Sequence, residues 1–310
     1  MWLVAARKLP EASKQAPVWE LETGSKDLRH TKTKHEKNGR DEETKIFRLR
    51  NSGACRSCWQ LRNAGLHEQL VGGWMVKASI VIASYNANRF LGECLSSVYD
   101  SKKVFGDLEV VLVDNASTDG TREFVKQNFS QVRYIRSEKN LGFAKGNNTG
   151  IVAAKGDYIV LLNSDTVVTS TWLSELVRVA ENDRKAGIVG PKTLRFDRRT
   201  LDTTGHIFHH KIGEAANRGT GEIDHGQYDD DTDVMGVQFS CALIKREVLD
   251  SIGLLDNRMF LYLEDVDYCI RARLVGWKVV YCPSSVIYHY AGGSTKQSWR
   301  TRRYGYANRL

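Results

Sequence analysis

The sequence predicts an α/β protein built on a mostly parallel sheet with helices on both faces. Three observations lead there. From residue 78 onward, apolar runs of strand length alternate with longer segments whose apolar residues recur a helical turn apart. The runs are continuously apolar, as strands buried on both faces must be. Three of them end abruptly in amides, hydroxyls or carboxylates, at the edge of the sheet where ligands bind in such folds.

ASIVIAS (78–84) opens the series as a buried strand. NRFLGECLSSVYD (88–100) follows, with Leu91, Leu95 and Val98 a turn apart and Cys94 beside them, which gives a helix one apolar face. LEVVLVD (108–114) is the second strand, and Ser117-Thr118-Asp119-Gly120 then supplies capping groups, Asp119 among them, for a helix through TREFVKQNF. VRYI (132–135), a helix near 143–154, the strand YIVLL (158–162) and a helix at TWLSELVRVAEN (171–182) complete a βαβαβαβα series. Later, Val266, Ile270 and Leu274 are spaced by four behind Glu264-Asp265-Val266-Asp267, and Gly276 can end that helix. The strand tips Ser84-Tyr85-Asn86, Asp114-Asn115 and Asn163-Ser164-Asp165 should gather along one edge. Each alone reads as a turn or cap; three together, two with a carboxylate, predict a polar cleft.

Length and composition set the frame. The 310 residues allow one large domain or two ordinary ones. No apolar run approaches the roughly 18 residues of a membrane-spanning helix, and MWLVAARKLPEASK lacks a signal-peptide core, which points to the cytoplasm. Six scattered cysteines fit reduced thiols rather than a disulfide scaffold. Residues 1–74 carry 14 Lys+Arg against 9 Asp+Glu, leaving only 31 against 28 for the body, so the basic excess of the body is too slight to signal nucleic-acid binding. Those first 74 residues read as a poorly structured basic leader, or, with Met75 as the natural start, as no part of the native protein. Cys55-Arg-Ser-Cys58 with His67 downstream supplies one ligand pair where a structural zinc site wants two, so unpaired thiols are the better reading.

The series SIVIASYNANRFLGECLSSV, VVLVDNASTDGT, NLGFAKGNNTGIVAAKGDYIVLLNSDT and FLYLEDVDYCIRARLVGWKVVYCPSSVIYHYAGGST resembles a family 2 glycosyltransferase, in particular its rhamnosyltransferase-like and galactofuranosyltransferase-like group. The resemblance runs from about 78 to 296, in the family's order. It implies a GT-A-type nucleotide-diphospho-sugar transferase fold over 75–296, followed by a basic-aromatic tail, 297–310. It also implies a metal-dependent, inverting hexosyl-type transfer from a nucleotide-diphosphate sugar to a saccharide or lipid-linked saccharide, in polysaccharide or glycolipid assembly.

The resemblance assigns roles residue by residue. Its metal motif of two acids one residue apart reads Asn163-Ser164-Asp165 here, so Asp165 is the expected ligand of Mg²⁺ or Mn²⁺, with Asn163 assisting through a neutral oxygen or contacting the ribose. A departing nucleoside diphosphate gathers negative charge, which a hard divalent cation with oxygen ligands neutralises. His289, in VIYHYAGGST after a late strand, completes the metal site in metal-dependent relatives. Asp114 corresponds to the acid that recognises the base, and Ser84, Tyr85, Asn86 and Ser164 join it in the nucleotide-sugar set. In NLGFAKGNNTG, Gly142 and Gly146 permit close approach to a ligand, while Asn140 and Asn147 can bond phosphate or ribose. Asp265 takes the role of catalytic base, with Glu264 contacting the acceptor or orienting the site. On spacing alone, the same acids are a dipole-stabilised helix start.

Three further stretches carry chemistry-bearing residues. His206, His209 and His210 in HIFHHK suit no standard zinc spacing and read as a polar loop on the acceptor side. Tyr228-Asp229-Asp230-Asp231-Thr232-Asp233 reads as a solvated mobile loop. Lys296, Arg300, Arg302 and Arg303 among aromatics suit either an ordinary terminal helix or peripheral contact with the inner face of a membrane that carries the acceptor. Two other functions compete. A nucleotidyltransferase of related fold would want a basic glycine-rich loop where SYNANRF stands. A non-catalytic nucleotide- or sugar-binding module would not need Asp165, Asp265 and His289 together.

Overall fold

The structure is a computed structural model that describes residues 77–209, 214–230 and 232–290. The leader with Cys55, Cys58 and His67, together with His210, Asp231 and the basic-aromatic tail, lies outside the described residues.

Among the described residues, eleven strands and six helices follow in chain order. They are β1 (Ala78–Ser84), α1 (Asn88–Phe105), β2 (Leu108–Asp114), α2 (Thr121–Asn128), β3 (Arg133–Arg136), α3 (Gly142–Ala153), β4 (Tyr158–Leu162), β5 (Thr166–Val168) and α4 (Trp172–Asn182). Then come β6 (Ala186–Arg195), β7 (Leu201–Thr203), β8 (His206–His209), β9 (Glu214–Asn217), β10 (Cys241–Lys245), α5 (Arg246–Ile252), α6 (Glu264–Leu274) and β11 (Lys278–His289).

Nine strands form one sheet in the order β3-β2-β1-β4-β10-β6-β11-β5, with β7 paired to β6. The first four are mutually parallel, and β6 and β11 run in the same sense. The expected mostly parallel sheet is therefore present, with β10 inserted antiparallel between β4 and β6. β5 and β7 also run against their neighbours. A separate hairpin, β8–β9, stands off the sheet.

Strand alternation divides the core between two layers of helices. Ile80 and Ile82 of β1 pack with Leu91, Leu95 and Val98 of α1, Val125 of α2 and Trp172, Leu173 and Leu176 of α4. Val81, one residue out of phase, joins Ala144 and Ile151 of α3, Val248 of α5 and Tyr268 and Ala272 of α6 on the opposite face. Trp172 is wholly buried, and its indole N–H donates to Ser101 Oγ at 3.0 Å, so a large apolar surface is buried without a stranded donor. The four described cysteines, Cys94, Cys241, Cys269 and Cys282, are free and buried. Among the described residues no helix is long and apolar enough to cross a membrane.

Asp119 serves two helix starts at once. Its carboxylate accepts the Asn88 N–H at 2.8 Å at the head of α1 and the Thr121 hydroxyl at 2.6 Å at the head of α2. In the segment near 228–233 the acids remain substantially exposed, yet two of them form ion pairs. Asp229 pairs with the nearly buried Lys192 at 2.8 Å, and Asp233 pairs with Arg273 at 2.9 Å. Lys192 is nearly buried and is held by Asp224 and Asp229, so Asp229 ties the acidic run to β6.

Candidate active site

A pocket of about 800 Å³ opens beyond the carboxyl ends of β1, β4, β6 and β11, the edge where the polar tips were expected. Because β10 is reversed, its entry residues Gln238, Phe239 and Ser240 reach the same edge. The N-terminus of α6 and the β8–β9 hairpin supply the facing walls.

β4 stops being apolar at Leu162, and the chain turns through Asn163-Ser164-Asp165 into β5. The Asn163 N–H donates to Ser240 O at 2.9 Å, and the Tyr290 N–H donates to Asp165 O at 3.0 Å, so both flanking strands fix the turn. Asp165 is 1% exposed. Its Oδ1 lies 3.4 Å from His289 Nε2, and Asn163 Nδ2 lies 3.4 Å from the same nitrogen. His289, expected after the late strand, is its last residue. The other ring nitrogen, Nδ1, sits 2.9 Å from Asp202 Oδ2. Burial disfavours a charged ring, but hydrogen bonds and charge from Asp165 and Asp202 outweigh it and raise the His289 pKa to about 9.

This donor set fits a hard divalent cation. A carboxylate and imidazole Nε2 converge on one spot, and a carboxylate on the far side of the ring holds the imidazole as metal-ligating histidines are held. Among the described residues no three His, Cys, Asp or Glu side chains form a ready metal cage, so a cation here would draw further ligands from substrate and water.

The acid pair is aimed by backbone. Tyr262 and Leu263, immediately before α6, both adopt left-handed conformations, with φ of 73° and 68°. Two such residues in succession cost energy and are held only by their surroundings. The helix is anchored behind them: Tyr268 donates to Gly253 O at 3.0 Å, and Arg271 bonds Asp267 at 2.9 Å and Ile252 O at 3.0 Å. Glu264 is buried, and its Oε2 has no hydrogen-bond partner. Desolvation, reinforced by the charge of Asp265, pushes the Glu264 carboxyl well above the usual carboxylate range. Asp265 accepts the Val266 N–H at 2.8 Å through Oδ1, and its Oδ2 faces His206 Nε2 at 3.7 Å.

Of the residues singled out in the sequence, Tyr85, Asn140, Gly142, Asn163, Ser164, Asp165, Glu264, Asp265 and His289 line this one pocket. Ser84, Asn86, Asp114 and Asn147 do not. Asp114 is wholly buried, accepts from the Ser117 N–H at 2.8 Å, and is closed off by Tyr134 and the Arg136 guanidinium. Asn86 accepts the Thr118 N–H at 2.8 Å, and Asn147 donates to Phe143 O at 3.0 Å, so both amides serve the protein's own backbone. The close approach that Gly142 and Gly146 permit is also internal. A Cβ on Gly142 would stand 2.6 Å from Phe260 Cδ2, and one on Gly146 would stand 2.8 Å from Asn115 Nδ2. Nor is the head of α3 an open phosphate cradle: its first amides donate to Asn140 Oδ1 at 2.9 Å and Phe260 O at 2.7 Å.

The sequence reading missed Asp202 and His206. His206 was assigned to a polar loop, but it lies in β8, is buried, and faces Asp265. Its signal was obscured by the two histidines after it. Asp202, in the short strand β7, had no motif around it.

The fold is that of the GT-A glycosyltransferases. Residues 79–253 match the family described as Glycosyl transferase family 2, more than half of the chain, and the protein belongs to that family of inverting, nucleotide-sugar-dependent enzymes. It is 26% identical over 237 residues to the N-acetylglucosaminyl-diphospho-decaprenol L-rhamnosyltransferase of Mycobacterium tuberculosis, a match covering 70% of this chain and 76% of that one. It is 27% identical over 230 residues to the uncharacterized protein y4gI of Sinorhizobium fredii, covering 70% of this chain but only 24% of that longer protein. Among solved structures, the mannosyltransferase PcManGT from Pyrobaculum calidifontis, in complex with GDP-Man and Mn²⁺, superposes with a TM-score of 0.53 at 19% identity, covering 79% of this chain and 68% of that one. That likeness establishes the fold.

Proposed function

We propose that the pocket binds a nucleoside-diphospho-sugar with a divalent cation, Mg²⁺ or Mn²⁺, and transfers the sugar with inversion to a hydroxyl of a saccharide or lipid-linked saccharide. The observation that carries this reading is the convergence of Asp165, His289 and Asp265 on one pocket of about 800 Å³, roomy enough for a nucleotide sugar by the usual scale of ligand sites. Asp165 and His289 Nε2 hold the cation, with Asn163 beside them and Asp202 fixing the ring. A cation held there would offset the charge that builds on a departing diphosphate.

The chain's own groups do the remaining work. Tyr85, Asn140, Gly142 and Ser164 border the space for the nucleotide and sugar. Ser84, Asn86, Asp114 and Asn147 support that wall from behind. Asp265 takes the proton of the acceptor hydroxyl as its oxygen bonds to the anomeric carbon and the bond to the diphosphate breaks on the opposite face. Burial pushes the Glu264 carboxyl toward its protonated form, which can donate a hydrogen bond to a sugar oxygen where an ionised carboxylate could not.

The test is thermal-shift titration with UDP, GDP and dTDP, each with and without Mn²⁺, followed by assay of slow nucleotide-sugar hydrolysis. Stabilisation by at least one diphosphate, strengthened by the cation, and hydrolysis abolished in Asp165→Ala are expected. Absence of any nucleotide-dependent shift overturns the reading.

A further inference from the structure

β6 is buried from Ala186 through Leu194 and becomes exposed only at its last residue, Arg195. Arg195 is the register partner of His289 on the neighbouring parallel strand β11. Register partners on parallel strands lie about 4.8 Å apart and project to the same face. The Arg195 side chain therefore leaves the sheet on the side that carries the imidazole. Both residues line the pocket, as does Asp165, whose successor Thr166 pairs with His289 from the other flank.

The charge around that point is lopsided. The lining contains the carboxyl groups of Asp165, Asp202, Glu264 and Asp265, and Arg195 is its only lysine or arginine among the described residues. Nearby arginines are engaged elsewhere: Arg136 with Asp114, and Arg198 over the Tyr288 ring at 4.9 Å. Among the described residues, Arg195 forms no ion pair and no side-chain hydrogen bond, and its charge is felt by Asp197 on the adjoining turn. A diphosphate entering a pocket with this many carboxyl groups needs more positive charge than a cation partly neutralised by Asp165 supplies. A guanidinium presents a planar fork that takes two phosphate oxygens at once.

We infer that Arg195 grips the donor's diphosphate and gives the pocket its preference for nucleoside diphosphates over monophosphates. The inference rests on the nucleotide-sugar reading above and names the residue that recognises the leaving group.

Calorimetric titration of the full chain with UDP, GDP and dTDP and with UMP, GMP and dTMP at fixed Mn²⁺ tests it, comparing the native protein with Arg195→Gln and Arg195→Lys. In Arg195→Gln, affinity for the preferred diphosphate should fall about tenfold to a hundredfold, while the matching monophosphate changes less than about twofold. Arg195→Lys, which keeps the charge but loses the fork, should fall between. Unchanged melting temperatures without nucleotide show that the variants fold. Diphosphate affinity retained in Arg195→Gln, or mono- and diphosphate affinities reduced alike, would overturn the inference. A native protein that binds none of the six overturns the nucleotide reading itself, a distinct result.

Discussion

His289 holds its Nδ1 2.9 Å from a carboxylate oxygen of Asp202 while its Nε2 faces Asp165 at 3.4 Å. One carboxylate orients the ring and the other shares the space into which the ring points. Asp202→Asn should therefore weaken Mn²⁺ binding about 10- to 100-fold without removing a ligand. Titration of Mn²⁺ followed by electron paramagnetic resonance reads this directly. Affinity equal to that of the native protein would show that Asp202 does not set the ring.

Asp265 lines the same pocket from the head of α6. Asp265→Asn should preserve diphosphate affinity within about twofold and lower acceptor transfer by roughly 10²- to 10⁴-fold, the usual range for losing a general base. Single-turnover transfer assays beside a binding titration separate the two effects. Transfer at the native rate would move the base elsewhere.

Glu264 makes stability depend on pH. Its folded pKa lies well above the ordinary carboxyl value of 4.5, so over that interval the folded state binds more protons than the unfolded one. Stability then falls as pH rises from about 4.5 toward the raised pKa, and it is fully retained below that window. Glu264→Gln removes the titration. Urea unfolding at several pH values should give a shallower decline for the variant, and parallel curves would contradict the assignment.

Gly142 carries a φ of 77°, and Phe260 crowds the place where its Cβ would stand. Gly142→Ala should cost at least about 1–2 kcal/mol from the left-handed backbone alone, lowering the melting temperature by about 2–8 °C. Because Phe260 begins the segment that leads into Glu264 and Asp265, transfer should fall further than the stability loss explains. Differential scanning calorimetry alongside an activity assay checks both.

Much of the first half of the sheet was legible because its strands are self-announcing. ASIVIAS, LEVVLVD and YIVLL match β1, β2 and β4 residue for residue, since continuous apolar runs bounded by polar breaks leave little choice of ends. The insertion of β10 was not legible, because CALIK is as apolar as any parallel strand and hydrophobicity carries no direction. The metal and base candidates Asp165, Asp265 and His289 stood out through motif resemblance, and the structure brings all three to one pocket. Asp202 and His206 come from short strands, and the side chains they face, His289 and Asp265, are distant in sequence; no local pattern marks a residue that matters only through such a neighbour. Asp114 illustrates the converse: its place at a strand tip was plain, but Arg136, which closes it off, lies two elements downstream.

The reversed strand β10 has a consequence for synthesis of the chain. β4 is paired with β1 on one side and has its other side closed only by Cys241–Lys245. Until the ribosome has made that segment, YIVLL presents an open, fully apolar edge with unpaired amides, the kind of surface that recruits other chains. A fragment that stops after α4 should accordingly collect in inclusion bodies, and chaperone demand should peak while residues 163–240 are still being translated.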